Sequence, residues 1–196
     1  MTDRQSYSRN LNDSVDELIG VSTTMRSDIE NLLSVYRDDW SSQTLRRTFI
    51  RASWSMIEGV VFCVKRLTLR ACELGTVGLP SDEHFFLSEL QFIVDPAGEA
   101  KLETRRVDTI SNIKRSLKIA GLRFDLPWKP VFGGTGWRDL AESLDIRHRL
   151  THPKSTAECE VSDDDLTLHL AGYEWFIQSS NEFQLALVKR YGKPSV

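Results

Sequence analysis

The residues best suited to chemistry stand together between Ile146 and Ser155, where the chain reads IRHRLTHPKS. This segment, called the motif segment below, holds Arg147 and two of the four histidines of the chain, His148 and His152. A histidine titrates near neutral pH and can accept or donate a proton, while an arginine stays charged and matches phosphate oxygens in geometry. The spacing therefore indicates a site that holds an anion and exchanges a proton beside it.

A helical wheel predicts where these side chains point. The stretch that leads into the motif segment reads as a helix whose apolar stripe is centred near Trp137, at about 100° per residue. His148 then falls in the middle of the stripe, with Arg147 and His152 on its flanks, whereas Arg149 points elsewhere. Because burying an unpaired cation is costly, we expect this end of the stripe to face a cleft, a partner subunit or an anionic ligand.

The letters RHRLTH resemble the R-[N/D/H]-x3-H motif of the HEPN superfamily, the higher eukaryote and prokaryote nucleotide-binding domains. The long helix TFIRASWSMIEGVVFCVKRL and the GTGW helix start also look like those of uncharacterised bacterial members. The resemblance implies a helical bundle and a metal-independent ribonuclease of a toxin–antitoxin, antiphage or stress system. Carried over by position, Arg147 and His152 are the catalytic pair, and His148 joins them as the polar residue after the arginine. A subset of the family has Tyr where this chain has Lys154, so the subgroup is not assigned.

The chemistry that the resemblance implies suits these residue types. Metal-independent RNA cleavage needs a base for the 2′-hydroxyl, an acid for the leaving oxygen and fixed positive charge at the phosphorus. In the family the site is often formed across a homodimer, so RNA and a second copy of the chain are the expected partners, with an antitoxin or defence-system protein as a further one. We expect the substrate to be bound by three neighbouring residues, Arg149, Thr151 and Lys154.

Glu58 is a candidate for orienting the site. It lies beside the apolar stripe of the long predicted helix, where a carboxylate could hold Arg147 or a histidine of the motif segment. The alternative is that Glu58 pairs with Arg51 or Lys65, which lie on the same flank of that helix.

Two other interpretations of the motif segment stay open. His148 and His152 are four residues apart, as two zinc ligands on a helix would be, but no HExxH glutamate or nearby ligand set completes a site. We therefore expect no metal and no cofactor. The second alternative is a catalytically silent HEPN-type module, which binds a nucleotide, RNA or a partner protein through the same cationic groove.

Charge is unevenly distributed along the chain. The net charge is −3, yet residues 101–154 carry twelve lysines and arginines against six acidic residues, a net of +6, and the remainder is −9. A central basic block on an acidic protein could attract a polyanion locally while general nucleic-acid binding stays weak. The alternative is a solvated surface whose charges pair with the acidic flanks.

Composition predicts one cytoplasmic domain over residues 1–196. Hydrophobic residues make up 40% of the chain, and the three cysteines include no CxxC pair. The longest apolar run, GVVFCV, is too short to cross a bilayer, and the polar N-terminus has no signal-peptide core, so no membrane association is expected. We expect about the first ten residues to be disordered.

Apolar periodicity predicts an all-α bundle of about five to seven helices with one small β-hairpin near residues 91–104. A helix is expected to begin at the N-cap Ser27, and the longest helix to span about 42–74. Gly121 is expected to end a later helix, and Ser162 to cap the last one. Asp95 is expected in the turn of the hairpin, together with a proline and a glycine.

Overall fold

The computed structural model describes residues 3–37, 39–94 and 96–191, without the side chains of residues 3–10. Within these ranges the all-α prediction is confirmed, since the chain forms six α-helices and one two-stranded hairpin. The elements are α1 (Asp3–Tyr36), α2 (Gln43–Glu73), α3 (Ser81–Leu87), β1 (Leu90–Val94), β2 (Ala100–Thr104), α4 (Thr109–Arg123), α5 (Thr135–Thr151) and α6 (Asp163–Tyr191), with a 3₁₀ turn at Ala157–Cys159.

The longest and the last predicted helices are both confirmed. Helix α2 spans Gln43–Glu73, and the apolar side chains at helical spacing along it, such as Trp54 and Ile57, are fully buried. Helix α6 begins after Ser162, whose hydroxyl accepts a hydrogen bond from the Asp165 N–H at 3.1 Å. The Asp165 carboxylate accepts one from the Ser162 N–H in return, at 2.9 Å. The two residues thus satisfy each other's backbone N–H groups at the start of the helix.

Two predicted helix ends are wrong. Ser27 lies inside α1, because buried residues at helical spacing, among them Leu18 and Ile29, continue one helix through that position. Residues 3–10, expected to be disordered, also belong to α1, and residues 1–2 lie outside the described part. Gly121 lies inside α4, where an added Cβ would meet the Trp128 ring at 3.2 Å. This glycine therefore makes room for an indole and does not end the helix.

The hairpin predicted near residues 91–104 is confirmed. Strands β1 and β2 pair antiparallel, with Leu90 opposite Thr104 and Val94 opposite Ala100. Gly98 in the turn has φ +84°, a conformation that favours glycine. Asp95, expected in the same turn, lies outside the described residues.

The contacts of the chain group it into two compact units. The first unit consists of Met1–Leu18, Val61–Lys129 and Leu185–Val196, and the second of Ile19–Val60 and Pro130–Gln184. The single domain proposed from composition stays a prediction. None of the helices in the described ranges has an apolar stretch long enough to cross a bilayer.

In the second unit, two glycines allow α5 and α6 to pack closely. An added Cβ at Gly172 of α6 would lie 2.5 Å from the backbone of Leu140 in α5. An added Cβ at Gly136 of α5 would lie 2.7 Å from the Trp175 side chain of α6. Contacts this short leave no space for a side chain, so glycine is needed at both positions for the helices to approach.

Candidate functional site

Helix α5 carries the motif segment at its C-terminal end. It ends at Thr151, because His152 leaves helical geometry with φ −130° and ψ 58° immediately before Pro153. The helix dipole favours cations at such an end, and Arg147 and His148 both lie in the last turns. The sequence therefore places the candidate side chains where a helix end stabilises their charge.

The face that α5 buries differs from the predicted one. Its buried residues are Trp137, Leu140, Ser143, Ile146 and Leu150. On a helical wheel of about 100° per residue, the mean direction of these five side chains lies about 100° away from the predicted centre of the stripe. A stripe centred on Trp137 leaves out Ile146 and Leu150, which are buried, and Ser143, a polar residue buried against α6.

The predicted inward position of His148 is therefore wrong. Both His148 and His152 are exposed, and neither imidazole makes a hydrogen bond within the described residues. The Arg147 side chain is 25% exposed. These side chains are exposed or partly exposed, so no unpaired cation is buried here. The cost of burial therefore gives no reason to expect a cleft or a second subunit at this helix end.

Arg147 forms an ion pair with Glu58, one of the two alternatives that the sequence left open. Its Nη2 lies 3.1 and 3.3 Å from the two carboxylate oxygens of Glu58. The other alternative is not found, because Arg51 donates to a backbone carbonyl at the end of α5 and Lys65 pairs with Glu89 at 2.7 Å. Helix α2 thus supplies a carboxylate that holds the guanidinium group of the motif.

The pair with Glu58 occupies only part of the Arg147 guanidinium. Both contacts use Nη2, and within the described residues Nε and Nη1 make no hydrogen bond. Two N–H-bearing nitrogens therefore stay available at a partly exposed position. A phosphate oxygen is the acceptor that suits such donors best.

Arg149 has a different environment, although it was expected to bind substrate. Its Nη1 donates to the backbone carbonyls of Glu158, at 3.1 Å, and Glu160, and its Nη2 pairs with Asp165. Burial alone would raise the pKa of Asp165, but hydrogen bonds from Ser162 and Arg149 outweigh it and hold that pKa below its usual value. Arg149 ties the loop after α5 to the start of α6, so both of its terminal nitrogens are already used.

The other two expected substrate-binding residues lie at the surface. The Thr151 hydroxyl donates to the Arg147 carbonyl at 2.8 Å, and Thr151 itself is exposed. Lys154 is exposed as well, and its backbone N–H donates to the Glu158 carboxylate at 2.7 Å. Within the described residues the Lys154 ammonium forms no ion pair, so it is available to an anion. Lys154 is also close to Arg147 in the sequence.

The N-terminal part of α2 holds the segment that follows the motif. Gln43 exchanges two hydrogen bonds of 2.9 Å with the backbone of Val161, and Arg46 donates to the same carbonyl at 2.7 Å. Arg47 donates to the Cys159 carbonyl at 3.2 Å. These contacts fix the loop between α5 and α6 at the last residue of its 3₁₀ turn and just after it.

Sequence reasoning missed His169, which is fully buried behind α5. Its Nδ1 lies 3.3 Å from the Ser143 hydroxyl of α5, and its Nε2 is hydrogen-bonded with the Ser53 hydroxyl of α2. Burial lowers the pKa of His169 to about 3, so the ring is neutral at physiological pH. The sequence does hold a signal for this cluster, because Ser53, Ser143 and His169 are polar residues at apolar positions of their helices. His169 connects three helices and has no access to a substrate.

Comparison with known proteins adds no family to this geometry. No family model, no curated protein and no solved structure matches the chain. Within the described ranges, no three histidine, cysteine, aspartate or glutamate side chains cluster as metal ligands would. The HEPN resemblance accordingly stays a prediction carried by the motif.

Proposed function

We propose that this protein is a HEPN-like, metal-independent endoribonuclease that acts in the cytoplasm in a bacterial defence, toxin–antitoxin or stress system. The observation that carries the proposal is the state of Arg147, which Glu58 holds through Nη2 while Nε and Nη1 keep their donors. His148 and His152 are exposed at the same helix end.

The reaction follows from these side chains. The neutral imidazole of His152 takes the proton of a ribose 2′-hydroxyl, and the 2′-oxygen attacks the adjacent phosphorus. Arg147 donates hydrogen bonds to the non-bridging oxygens, where negative charge grows in the transition state. The 5′-oxygen leaves with a proton from a second histidine, either His148 or a histidine of a second copy. The products are a 2′,3′-cyclic phosphate and a 5′-hydroxyl.

A specific observation favours the silent binding module as the second candidate. An efficient general base is usually oriented by a hydrogen bond to its other nitrogen. Within the described residues the His152 ring has no such partner. In this alternative, Arg147 and Lys154 bind a phosphate and no proton is transferred.

The test is cleavage of single-stranded RNA by the purified chain in excess chelator. We expect His152→Ala and Arg147→Ala each to lower the rate about a hundredfold or more, the usual scale for loss of a general base or of a charge contact in the transition state. DNA of the same sequence should stay intact, because it lacks the 2′-hydroxyl.

Two substitutions outside the motif serve as matched controls. Arg138→Ala removes an exposed arginine from the same helix, and His84→Ala removes an exposed histidine from the first unit. Both should cleave at the wild-type rate, and all variants should keep the wild-type melting temperature. Full activity in His152→Ala would contradict the role of His152 as the base. No cleavage by folded wild-type protein with RNA bound through Arg147 would favour the silent module.

A further inference from the structure

The first unit contains a basic cavity of about 500 Å³. Five cationic side chains line it: Arg105, Arg106, Lys114, Arg115 and Lys118. One acidic residue, Asp108, lies among the lining residues, so their formal charge is +4. All five cations belong to the basic block of residues 101–154, and none belongs to the motif segment.

The cations converge because two adjoining segments present them to one side. Arg105 and Arg106 follow β2, and the other three lie on one face of α4, at positions i, i+1 and i+4. The Arg105 N–H donates to the Glu89 carbonyl at 2.7 Å, which fixes the start of the connection between β2 and α4. The backbone thus fixes where the segment that carries Arg105 and Arg106 begins.

Phe86 holds two of the guanidinium groups in place. Its buried ring lies 4.5 Å from Cζ of Arg115 and 6.0 Å from Cζ of Arg105. A guanidinium over an aromatic face is attracted by the ring and keeps its N–H donors directed outward. Because the ring is buried, it offers no surface on which a nucleic-acid base could stack.

Two acidic residues near the cavity have contacts of their own. The Asp108 carboxylate accepts the Ser111 N–H at 2.8 Å as the N-cap of α4, and this hydrogen bond lowers its pKa. Asp82 pairs with Arg115 at 3.0 Å in a contact that is largely exposed. Arg106 forms no ion pair within the described part of the chain.

We propose that the basic cavity binds a compact polyphosphate, meaning two or three linked phosphate groups, either free or carried by a nucleoside. Five cations around one concavity exceed what a single phosphate can contact, and a ligand with several linked phosphates can reach more of them. The volume is that of a small-molecule site. A single-stranded RNA would need an extended groove with exposed stacking surfaces, which Phe86 does not provide.

This proposal goes beyond the proposed ribonuclease activity and does not depend on it. Its residues lie in the first unit, whereas Arg147 and His152 lie in the second. Loss of polyphosphate binding and loss of RNA cleavage are therefore expected to respond to different substitutions.

The test is isothermal titration of the full chain with inorganic triphosphate, ATP, adenosine and sulfate. We expect saturable binding of triphosphate and ATP, at least about tenfold tighter than sulfate, and no binding of adenosine. Equal affinity for triphosphate and ATP identifies the phosphate chain as the recognised group. Tighter binding of ATP identifies a nucleoside as its carrier.

Substitutions locate the site. Arg106→Gln and Lys118→Gln should each weaken triphosphate binding about tenfold, the scale of one charge-assisted contact. Lys129→Gln is the matched control, because it removes one exposed charge from the first unit outside the cavity. Arg147→Ala should leave triphosphate binding unchanged.

Three results would overturn the proposal. One is the absence of saturable triphosphate binding by folded wild-type protein, and another is an equal loss of affinity in Lys129→Gln, which means diffuse charge. The third is a short single-stranded RNA that needs Arg106 for binding and is not displaced by triphosphate, which would make the cavity part of an RNA surface. Melting temperatures of the variants must match the wild type.

Discussion

Two arginines of the motif segment, separated by one residue, have opposite surroundings. Arg147 is held by one carboxylate and keeps donors available, whereas Arg149 spends both terminal nitrogens on two carbonyls and Asp165. The difference arises because the two side chains leave α5 in directions about 160° apart in the helical projection. At the scale of single residues, the candidate site therefore consists of Arg147 and the two exposed histidines.

Replacing Glu58 by glutamine should separate positioning from charge. Glu58→Gln removes the negative charge beside Arg147, so RNA should bind more tightly, by about three- to tenfold in Kd. The guanidinium also loses its fixed orientation, so kcat should fall about tenfold or more. The measurements are RNA titration and single-turnover cleavage. Glu142→Gln, an exposed carboxylate on α5, is the control, and a rise in both affinity and kcat would contradict the positioning role.

Buried His169 should make stability depend on pH. Burial holds the folded-state pKa of His169 at about 3, below the ordinary value of 6.5. Between these two pH values the unfolded chain therefore binds a proton that the folded chain does not bind. Its contribution is present in full above pH 6.5 and is lost as the pH falls toward 3. We expect the free energy of unfolding in urea to drop by about 2 kcal/mol between pH 7 and pH 5.

His169→Gln provides the comparison for this pH dependence. Glutamine does not titrate, and its amide can hydrogen-bond with Ser53 and Ser143, so the variant should lose most of the drop between pH 7 and pH 5. His84→Gln, which replaces an exposed histidine, should keep it. An unchanged drop in His169→Gln would mean that another group causes it.

Residue types were more predictable than residue directions at this site. The chemistry of arginine and histidine follows from the sequence, and the partner of Glu58 was among the alternatives that it left open. The buried face of α5 was predicted wrongly for two reasons. A stripe centred on Trp137 leaves out Ile146 and Leu150, and the burial of Ser143 depends on a partner in another helix, His169. A serine and a histidine at apolar positions are recognised as partners only when the helices that carry them are placed together.

Helices α5 and α6 pack closely where Gly172 lacks a side chain. The extents of α2 and of the hairpin follow from apolar periodicity and turn chemistry, so both could be predicted from the sequence. The start of α1 and the role of Gly121 could not be predicted. Serine and glycine also occur inside helices, where the packing of neighbouring side chains sets the course of the chain. Local signals set the type of an element more reliably than its ends.

Alanine at Gly172 should destabilise the second unit. Its Cβ would lie 2.5 Å from the backbone of Leu140, which cannot move without shifting α5. We expect a loss of about 1–3 kcal/mol in the free energy of unfolding, despite the better helix propensity of alanine. Gly20→Ala is the matched control, because Gly20 lies in α1 with no atom within 4 Å of an added Cβ, and it should stabilise slightly. Equal stabilisation by both substitutions would refute the close packing.

At the scale of the whole chain, the basic block of residues 101–154 is shared between the units. Eight of its twelve cations precede residue 130 and belong to the first unit, and the other four belong to the second. The block is therefore divided between the two units, and we propose that its two parts bind different anions. A net charge of −3 keeps general attraction of polyanions weak.

If the proposed ribonuclease activity is present, we expect its active form to be a homodimer, as the family resemblance implies. The exposed His148 and His152 are free to face a second copy, which would supply the proton for the leaving oxygen. Light scattering should give a dimer mass at micromolar concentration, and cleavage per chain should fall on dilution below the dissociation constant. A monomer with undiminished activity at all concentrations would show that one chain suffices.

The contacts of Arg149 affect how a genetic screen of this protein should be interpreted. If expression of the chain arrests growth, we expect some surviving clones to carry a substitution at Arg147 and others to carry one at Arg149. Clones with a substitution at Arg149 survive because the loop after α5 and the start of α6 lose the contacts that join them. Less folded protein then accumulates. Abundance must be measured beside toxicity, since only a clone with normal protein levels and no arrest reports on the chemistry.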